Sequence, residues 1–439
     1  MVLETIVAPA TPLGRSALAI VRIDGPESGR MLAALSRDAM PEVRHAVFTR
    51  LWSPGAETLL DECVAVRYAA PHSFTGNDLV ELTLHGNPLL VEQVIGACVA
   101  LGARMAEPGE FTERAVLNGK IDLVQAESIA DLINARTALQ AKLSLSNLEG
   151  ALSRSASAIR QTLLEVISRL EAALDFSEEG YEFITREAAA GQLGAALREI
   201  VTLGETARRG RATTAGLSAV ILGRPNAGKS TLLNRLVGSD RAIVTPIPGT
   251  TRDIVRETVE IGGLPVTLAD TAGLRESSDV VEGIGIERAR QAARTADLVL
   301  YLVDAVTGLT DEDRQELARL DAVLVVYTKT DLAPAAEGAH SISAVSGEGM
   351  DALLAQLDTL VRDRFAAPEG SLVNARQQAA VLACDEALRA ALAALESGAD
   401  EQLILVDLYR AANALGLLTG AITREDIFAE IFTKFCIGK

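Results

Sequence analysis

Residues 217–238 read LSAVILGRPNAGKSTLLNRLVG, and this stretch decides how the centre of the chain folds. The apolar run 217–222 is typical of a buried strand, and the residues after 230 have a helical pattern. Between them, residues 223–230 fit the pattern GxxxxGK[ST], whose glycines let backbone N–H groups surround phosphates at a helix N-terminus. Because a strand and a helix flank the pattern, it predicts a nucleotide phosphate site rather than a chance match.

Side chains of this loop have predicted roles in phosphate binding. Lys229 is expected to neutralise the β and γ phosphates, and the Ser230 hydroxyl is expected to ligate Mg²⁺. The predicted nucleotide contacts in this segment are Asn226, Ala227, Gly228, Lys229, Ser230 and Thr231.

The nucleotide base is predicted from residues 328–331, TKTD, which follow the strand-like run 322–327. The Asp331 carboxylate is expected to accept two hydrogen bonds from the N1–H and exocyclic amine of guanine. Adenine lacks that donor pair, and a buried carboxylate without partners is costly. Three further guanine-site contacts are expected from Lys329, Ser343 and Ala344.

These features together resemble the translation-factor-type GTPases, with one departure. The usual base-recognition pattern is NKxD, and here Thr328 stands in place of the asparagine. Threonine keeps a hydroxyl but lacks the amide, so guanine specificity is expected to rest more on Asp331, and nucleotide affinity to be lower.

Two segments have the patterns of nucleotide-sensing switches. Residues 270–273, DTAG, place an acid at a strand end before a flexible glycine, which suits a metal-linked carboxylate and a γ-phosphate sensor. Residues 245–253, TPIPGTTRD, predict a switch I loop with Thr251 as the second Mg²⁺ ligand. The predicted nucleotide contacts are Thr245, Pro246, Ile247, Pro248, Gly249, Thr250, Thr251, Asp270, Thr271, Ala272 and Gly273.

Hydrolysis needs a replacement for the glutamine that orients water in Ras-like enzymes, because Leu274 stands in its place. No arginine finger is evident. A K⁺ ion would supply positive charge beside the phosphates. Its expected ligands are neutral oxygens, from the Asn226 side chain and the backbone carbonyls of Thr245, Ile247 and Thr250. The alternative is an ordinary mobile switch loop.

Glu282 lies beyond the DTAGL segment and is the candidate residue for orienting or activating water. A solvated acid at a helix start is an equally good interpretation of its spacing.

The remaining sequence predicts a multidomain α+β and α/β chain. Residues 1–118 mix short strands and turns; over 79–86, Glu81, Thr83 and His85 are expected on one face of a strand and Val80, Leu82 and Leu84 on the other. Residues 119–214 are helical, 215–365 alternate strands and helices as in a doubly wound domain, and 366–439 are helical again. The α/β unit is therefore expected to be inserted into a helical domain.

Composition limits the classes of function. The 439 residues carry a net charge of −18, so any RNA contact needs a local patch or a partner. Residues 207–211, ARRGR, are interpreted as a linker rather than a tRNA-binding patch. The four cysteines are far apart, which argues against a zinc site or disulfide framework. The N-terminus does not resemble a signal peptide, and the apolar runs are far shorter than the roughly 20 residues of a membrane span. A cytoplasmic, non-membrane protein is expected.

Across nearly all its length, the chain resembles the MnmE (TrmE) family of tRNA modification GTPases. Segments that carry the resemblance include TIVAPATPLGRSALAIVRIDG, SFTGNDLVELTLHG, FTERAVLNGKIDLVQAESIADLI, DTAGLRESSDVVEGIGIERA and the terminal FCIGK. The resemblance implies a K⁺-stimulated GTPase in which Asn226 and residues 245–251 hold K⁺ and Glu282 is the catalytic acid. It also implies a homodimer formed through the N-terminal domain, and a heterotetramer with the FAD-containing partner MnmG that modifies C5 of the tRNA wobble uridine.

The resemblance further implies that the N-terminal domain binds 5-formyltetrahydrofolate or a related tetrahydrofolate. The matching residues are Arg22, Glu81, Lys120 and Lys439. A carboxylate such as Glu81 pairs with a 2-aminopyrimidinone edge, and cationic groups suit the glutamate tail of folate. Without the resemblance, Glu81 and Lys120 are ordinary surface residues.

Two alternative functions remain open at this point: a ribosome-assembly GTPase with the same nucleotide motifs, and a folate-binding scaffold whose phosphate loop binds nucleotide without hydrolysis. Cys436 is either a reactive thiol near the folate or a helix-packing residue.

Overall fold

The computed structural model describes residues 4–38, 40–176, 183–238, 241–243, 256–270, 291–320, 323–335 and 339–421, and residues 431, 432, 435 and 438; at Arg256 and Asp270 only the backbone is described. The chain forms two compact units, residues 1–130 with 415–439, and residues 131–414. Among the described residues, every helix is too short or too polar to cross a membrane.

The first unit is built on a six-stranded sheet in the order β3-β4-β5-β2-β1-β6. Its strands are β1 (Ile6–Pro9), β2 (Leu18–Asp24), β3 (Ala46–Trp52), β4 (Leu59–Tyr68), β5 (Leu79–His85) and β6 (Arg104–Met105). Its helices are α1 (Ser28–Ser36), α2 (Pro88–Ala100), α3 (Glu110–Leu117) and the start of α4 (Leu123–Ile133).

Strand β5 shows why this sheet has two different faces. Val80, Leu82 and Leu84 are fully buried, whereas Glu81 and Thr83 are partly exposed. Successive side chains of a strand point to opposite faces, so this alternation directs the apolar set into the core. The predicted alternation over 79–86 is confirmed.

In the part of the chain that the structure describes, the second unit contains an α/β domain with three helices before it in the chain and two long helices after it. The helices are α5 (Ala138–Leu148), α6 (Ala151–Asp175), α7 (Arg186–Ala215), α11 (Ala375–Glu396) and α12 (Glu401–Thr419), of which the last ends in the first unit. Gly150 separates α5 from α6 because its φ of 86° is outside the helical range of other residues. The interpretation of 207–211 as a linker is wrong, since these residues lie within α7.

The α/β domain has a six-stranded sheet in the order β12-β11-β10-β7-β9-β8, in which only β8 is antiparallel to its neighbour. The strands are β7 (Leu217–Gly223), β8 (Arg256–Ile261), β9 (Leu264–Asp270), β10 (Leu298–Asp304), β11 (Val323–Thr328) and β12 (His340–Ser341). The helices are α8 (Lys229–Val237), α9 (Asp311–Leu317) and α10 (Met350–Phe365).

Buried aliphatic residues from β7, β9 and β10 pack against α8 and α10 on one face of this sheet. Parallel strands buried on both faces read as continuous apolar runs, which is why the sequence predicted them. The predicted fold class, with a doubly wound α/β domain and an N-terminal α+β domain, is confirmed. In such sheets ligands bind at the carboxyl ends of the strands, where residues 223–230 lie.

Candidate nucleotide-binding site

The phosphate loop connects the end of β7 to the start of α8. Gly223 has φ 140°, and a Cβ there would lie 2.4 Å from the Leu302 carbonyl oxygen, so only glycine allows β7 and β10 to approach this closely. Gly228, with φ 89°, caps the start of α8. Asn226 also adopts a positive φ, 63°, and its side chain is exposed. The loop therefore turns tightly and leaves the N-terminus of α8 at the sheet edge.

Lys229 lies over the carbonyl groups of its own loop. Its side chain is buried, and Nζ donates to the backbone oxygens of Gly223 at 2.9 Å and Arg224 at 2.7 Å. The neighbouring Ser230 is exposed. These positions put an ammonium and a hydroxyl at a helix N-terminus, which is the chemistry that a phosphate and its Mg²⁺ need.

Thr328 joins the base-recognition segment to the phosphate loop. Its hydroxyl is buried at the end of β11 and lies 2.8 Å from the Ala227 carbonyl oxygen and 3.3 Å from that of Val303. A hydroxyl has a single proton, so it donates to one of these carbonyls at a time. The threonine in place of the expected asparagine thus cross-links the two loops through one hydrogen bond.

Lys329 forms an ion pair with Asp304 at the end of the neighbouring strand. Its φ is 59°, and Nζ lies 2.7 Å from Asp304 Oδ2. Burial alone would raise the pKa of Asp304, but hydrogen bonds from Lys329 and the Val306 N–H outweigh it and lower that pKa. Asp304 is a site residue that the sequence analysis missed, because nothing in its local pattern indicates which lysine it pairs with.

The other predicted base contacts lie at the same edge. Asp331 is exposed, and Ser343 is buried with its hydroxyl accepting from the Ser346 N–H at 3.1 Å. The Thr330 N–H donates to the Ile342 carbonyl at 3.3 Å, which holds the segment containing Asp331 beside the segment of Ser343 and the partly exposed Ala344. The structure therefore brings the two predicted base-contacting segments together.

A cavity of about 230 Å³ lies beside the phosphate loop, between Arg224 and the end of β10. Its wall includes Asp313, a buried carboxylate that accepts hydrogen bonds from Tyr301 Oη at 2.7 Å and Thr310 Oγ1 at 2.7 Å. Burial and the Asp313 contact raise the pKa of Tyr301, so its hydroxyl stays protonated. These bonds fix the loop after β10.

Several predicted residues lie outside the described part of the chain, so their positions stay predictions. These are Thr245, Pro246, Ile247, Pro248, Gly249, Thr250, Thr251, Thr271, Ala272, Gly273, Glu282, Cys436 and Lys439. The backbone of Asp270 ends β9 opposite Ile221 of β7, close in sequence to the phosphate loop. No group of three acidic, histidine or cysteine side chains in the described ranges forms a cage for a metal ion.

The first unit contains the pair of residues predicted for folate. Arg22 and Glu81 face each other on β2 and β5, and Arg22 Nε lies 2.8 Å from Glu81 Oε1. The Tyr68 hydroxyl is 3.4 Å from Glu81 Oε2, and the Arg22 guanidinium is 5.8 Å from the centre of the Phe74 ring. Burial, followed by the neighbouring Glu81, raises the pKa of Tyr68. Tyr68 and Phe74 were missed because strand register, not sequence spacing, puts them beside Arg22.

Lys120 lies against the loop that carries Phe74. Its Nζ donates to the Pro71 carbonyl at 2.9 Å, and a Cβ on Gly76 would lie 3.2 Å from its side chain. This loop is fixed by the fully buried Asp24, which accepts from Thr75 Oγ1 and, at 2.7 Å, from Arg114 Nη1. A buried carboxylate and guanidinium thus hold the loop that both Arg22 and Lys120 contact.

The described cysteines have no reactive character. Cys63, Cys98 and Cys384 are buried, and burial raises the pKa of each thiol to about 12. Thiolates, not thiols, are nucleophiles, so these three side chains act as packing residues.

Comparison with known proteins covers almost the whole chain. Residues 5–120 match the family model described as the GTP-binding protein TrmE N-terminus, and residues 123–436 match the MnmE helical domain. The tRNA modification GTPase MnmE of Symbiobacterium thermophilum is 45% identical over 456 residues, and that of Koribacter versatilis is 43% identical over 455 residues; each alignment covers 99% of both chains.

Other matches are weaker or shorter. MnmE of Aquifex aeolicus is 40% identical over 450 residues, which is 99% of this chain and 100% of that protein. A crystal structure of Aquifex aeolicus Era is 27% identical and covers 39% of this chain and 66% of that chain, with a TM-score of 0.27, a likeness too weak to support an argument. With both family models matched and such relatives over its full length, the chain belongs to the MnmE (TrmE) family of tRNA modification GTPases.

Proposed function

We propose that this protein hydrolyses GTP as part of tRNA modification. The observation that carries this proposal is the hydrogen bond from Thr328 Oγ1 to the Ala227 carbonyl, which joins the guanine-recognition segment and the phosphate loop in one site. A phosphate loop and a base-reading carboxylate at one sheet edge are the parts that a guanine nucleotide needs. The printed names of the full-length relatives agree with this activity.

Residues of the site have distinct roles in the proposed reaction. Lys229 neutralises the β and γ phosphates, and Asp331 selects guanine. Ser230 and Thr251, with Asp270 nearby, would hold Mg²⁺, which supplies positive charge at the phosphates. Phosphoryl transfer depends mainly on positioning and electrostatics, so the rigid loop between β7 and α8 is itself part of the catalyst.

K⁺ is the proposed substitute for an arginine finger. The exposed Asn226 side chain would contribute one neutral oxygen, and the carbonyls of Thr245, Ile247 and Thr250 the others. The exposed position of Asn226 at positive φ fits a role in which its side chain leaves the loop to meet an ion. Glu282 would orient or activate the attacking water.

The N-terminal unit is the proposed folate site. Arg22, Glu81, Lys120 and Lys439 would bind 5-formyltetrahydrofolate or a related donor of one carbon. Glu81, already held by Arg22 and Tyr68, offers a carboxylate edge to a 2-aminopyrimidinone ring, and Phe74 offers an aromatic face. With the FAD-containing partner MnmG in a heterotetramer, the protein would modify C5 of the tRNA wobble uridine with an aminomethyl or carboxymethylaminomethyl group.

We also propose that two copies associate through the N-terminal domain. The outward face of its sheet carries exposed apolar side chains, among them Phe48 at 67%, Leu18 at 59% and Val64 at 38% exposure. Phe48 and Val64 are register partners on β3 and β4, so they form a contiguous surface. The proposed domains are 1–118 for folate binding and dimerisation, 119–214 and 366–439 for the helical domain, and 215–365 for the G domain.

GTP turnover measured in KCl and in NaCl tests the proposal. We expect turnover in KCl and a much lower rate in NaCl at equal ionic strength. Equal rates would contradict the role of K⁺, and no turnover in either salt would favour the folate-binding scaffold. Tetrahydrofolate recovered with the purified protein would argue against the ribosome-assembly alternative, as does the match of residues 5–120 to the TrmE N-terminus.

A further inference from the structure

Three exposed arginines lie together on the second unit, and we call them the arginine patch: Arg208 and Arg211 on α7, and Arg364 on α10. The guanidinium groups of Arg208 and Arg364 lie 5.8 Å and 5.5 Å from the centre of the same Phe365 ring. Arg211 is one helical turn beyond Arg208 and donates a hydrogen bond to Gln378 Oε1. Two helices therefore contribute positive charge to one surface.

The backbone around the arginine patch is fixed by close packing. A Cβ on Gly210 would lie 1.8 Å from the Leu372 carbonyl oxygen, so glycine is required where α7 meets the segment after α10. Thr206 Oγ1 accepts from the Leu372 N–H at 3.1 Å, and Thr213 Oγ1 accepts from the Ala367 N–H at 3.1 Å. The pattern ARRGR thus combines a buried packing glycine with three exposed arginines.

Unlike Arg241, Arg389 and Arg410 of the same unit, the arginines of the patch form no ion pair with an acid among the described residues. Arg241, Arg389 and Arg410 pair with Asp358, Asp385 and Asp407 at 2.8 Å. Within the described ranges, no carboxylate lies within 4.0 Å of any guanidinium nitrogen of the arginine patch, although Glu205 and Asp363 are close in sequence. Its guanidinium groups are therefore not engaged in ion pairs.

We propose that the arginine patch binds the phosphate backbone of the tRNA, an inference that rests on the proposed function. A chain with a net charge of −18 has no overall electrostatic attraction for RNA, so docking requires a local group of cations. The planar guanidinium donates two parallel hydrogen bonds to a phosphate and suits this role better than an ammonium. Because Phe365 is buried, the patch offers no aromatic face for a base, and its contacts are independent of sequence.

Binding of a fluorescently labelled tRNA transcript to the full chain, measured between 50 and 200 mM salt at fixed Mg²⁺, tests this proposal. The test variant combines Arg208→Gln, Arg211→Gln and Arg364→Gln. The control variant combines Arg314→Gln, Arg319→Gln and Arg389→Gln, which changes the net charge equally but removes arginines that are paired with acids.

We expect the test variant to bind tRNA at least tenfold more weakly than the wild type, and the control variant to bind within twofold of it. The slope of log K against log salt should fall in magnitude by about 2, since each lost phosphate contact removes roughly 0.7–0.9. Three Arg→Lys changes at the same positions should restore the slope but only part of the affinity. Lysine keeps the positive charge but lacks the planar guanidinium that donates two parallel hydrogen bonds.

GTP turnover without RNA is measured on every variant and should not change, because no residue of the arginine patch lies in the nucleotide site. Equal weakening in the test and control variants would overturn the proposal, and so would a wild-type chain that hydrolyses GTP without salt-dependent tRNA binding. Loss of an acidic protein partner with unchanged tRNA binding would overturn it in favour of a protein interface. If the chain instead binds tRNA through the arginine patch but does not hydrolyse GTP, the proposed GTPase activity is contradicted and the arginine-patch proposal stands.

Discussion

At the scale of single residues, Thr328 stands where an asparagine is expected, and it links two loops but offers no second donor to a ligand. The hydroxyl retains the link between the base-recognition segment and the phosphate loop, through the Ala227 carbonyl at 2.8 Å. Its single proton is used in that bond, so no second donor remains on this side chain for a ligand. This bond gives a structural reason to expect lower affinity for nucleotide, which stays a prediction.

Thr328→Val should accelerate release of both GDP and GTP, because valine has the same shape and leaves the Ala227 carbonyl without its donor. A lost buried hydrogen bond of about 1 kcal/mol corresponds to roughly fivefold in dissociation constant. Stopped-flow measurements with fluorescent GDP give the rate. Thr330→Val in the same segment is the matched control and should leave the rate unchanged; a Thr328→Val protein with wild-type release would show that the cross-link has no role in binding.

Asp331→Asn should reverse the preference of the site from guanine to xanthine nucleotides. Asparagine offers a donor where the carboxylate offered only acceptors, and xanthine presents a carbonyl oxygen in place of the exocyclic amine of guanine. Competition of GTP and XTP for the site measures the preference. If the variant still prefers GTP as the wild type does, the carboxylate is not the group that reads the base.

At the scale of elements, helix α3 contains two acids with opposite contributions to stability. Burial would raise the pKa of Glu110, but hydrogen bonds from Arg104, the Glu107 N–H and Arg114 lower it. Glu113, one turn later, forms no such bond among the described residues, and burial followed by repulsion from Glu110 raises its pKa. One carboxylate therefore stabilises the fold when ionised, and the other destabilises it.

Glu110→Gln should destabilise the first unit at pH 7 by on the order of 3 kcal/mol, because the buried Arg114 loses an ionised partner. The contribution of Glu110 is present above its ordinary pKa and is lost as pH falls through its lowered native pKa, so the variant and the wild type should converge in acid. Urea unfolding followed by the fluorescence of Trp52, the only tryptophan, reports on this unit.

Glu113→Gln on the same helix is the matched control, with the opposite sign. It removes a half-buried charge, so it should raise the urea midpoint at neutral pH, and this gain should vanish as pH falls through the raised native pKa of Glu113. Equal and pH-independent effects of the two variants would show that packing, not ionisation, distinguishes these side chains.

How much was predictable also differs between elements. The strand–loop–helix of residues 217–238 and the alternation of β5 follow local patterns, and both were predicted. The continuity of α7 was not, because Gly210 and three arginines look like a linker until the Leu372 carbonyl is seen against Gly210. Arg22 and Glu81 are 59 residues apart, and only the register of β2 with β5 puts them side by side; for them, resemblance to a family supplied what spacing did not.

At the scale of the whole molecule, the arginine patch and the apolar face of the first sheet belong to different units. The positive charge of the arginine patch belongs to the second unit, in a chain that is acidic overall. The exposed apolar side chains Phe48, Leu18 and Val64 belong to the sheet of the first unit. A contiguous apolar surface on the exposed face of a sheet is typical of an interface, which supports self-association through this unit.

Phe48→Asp should convert a dimer of the full chain into a monomer in sedimentation velocity experiments. Phe48 is 67% exposed on the edge strand β3, and its register partner Val64 extends the apolar surface onto β4. A carboxylate there would have to lose its hydration on association without gaining a partner, which opposes the contact strongly. Because the side chain is exposed, the fold of the monomer should be unaffected, and Trp52 fluorescence should keep its wild-type urea midpoint.

Leu89→Asp gives the matched control for this test. Leu89 is 58% exposed at the start of α2, a helix that packs on the opposite, buried face of the same sheet. Both variants add one negative charge and remove one exposed apolar side chain from the same unit, so only the location differs. A monomer produced by Phe48→Asp alone would place the interface on the outward sheet face, whereas dimers retained in both variants would exclude Phe48 from the contact and require a different surface for the association.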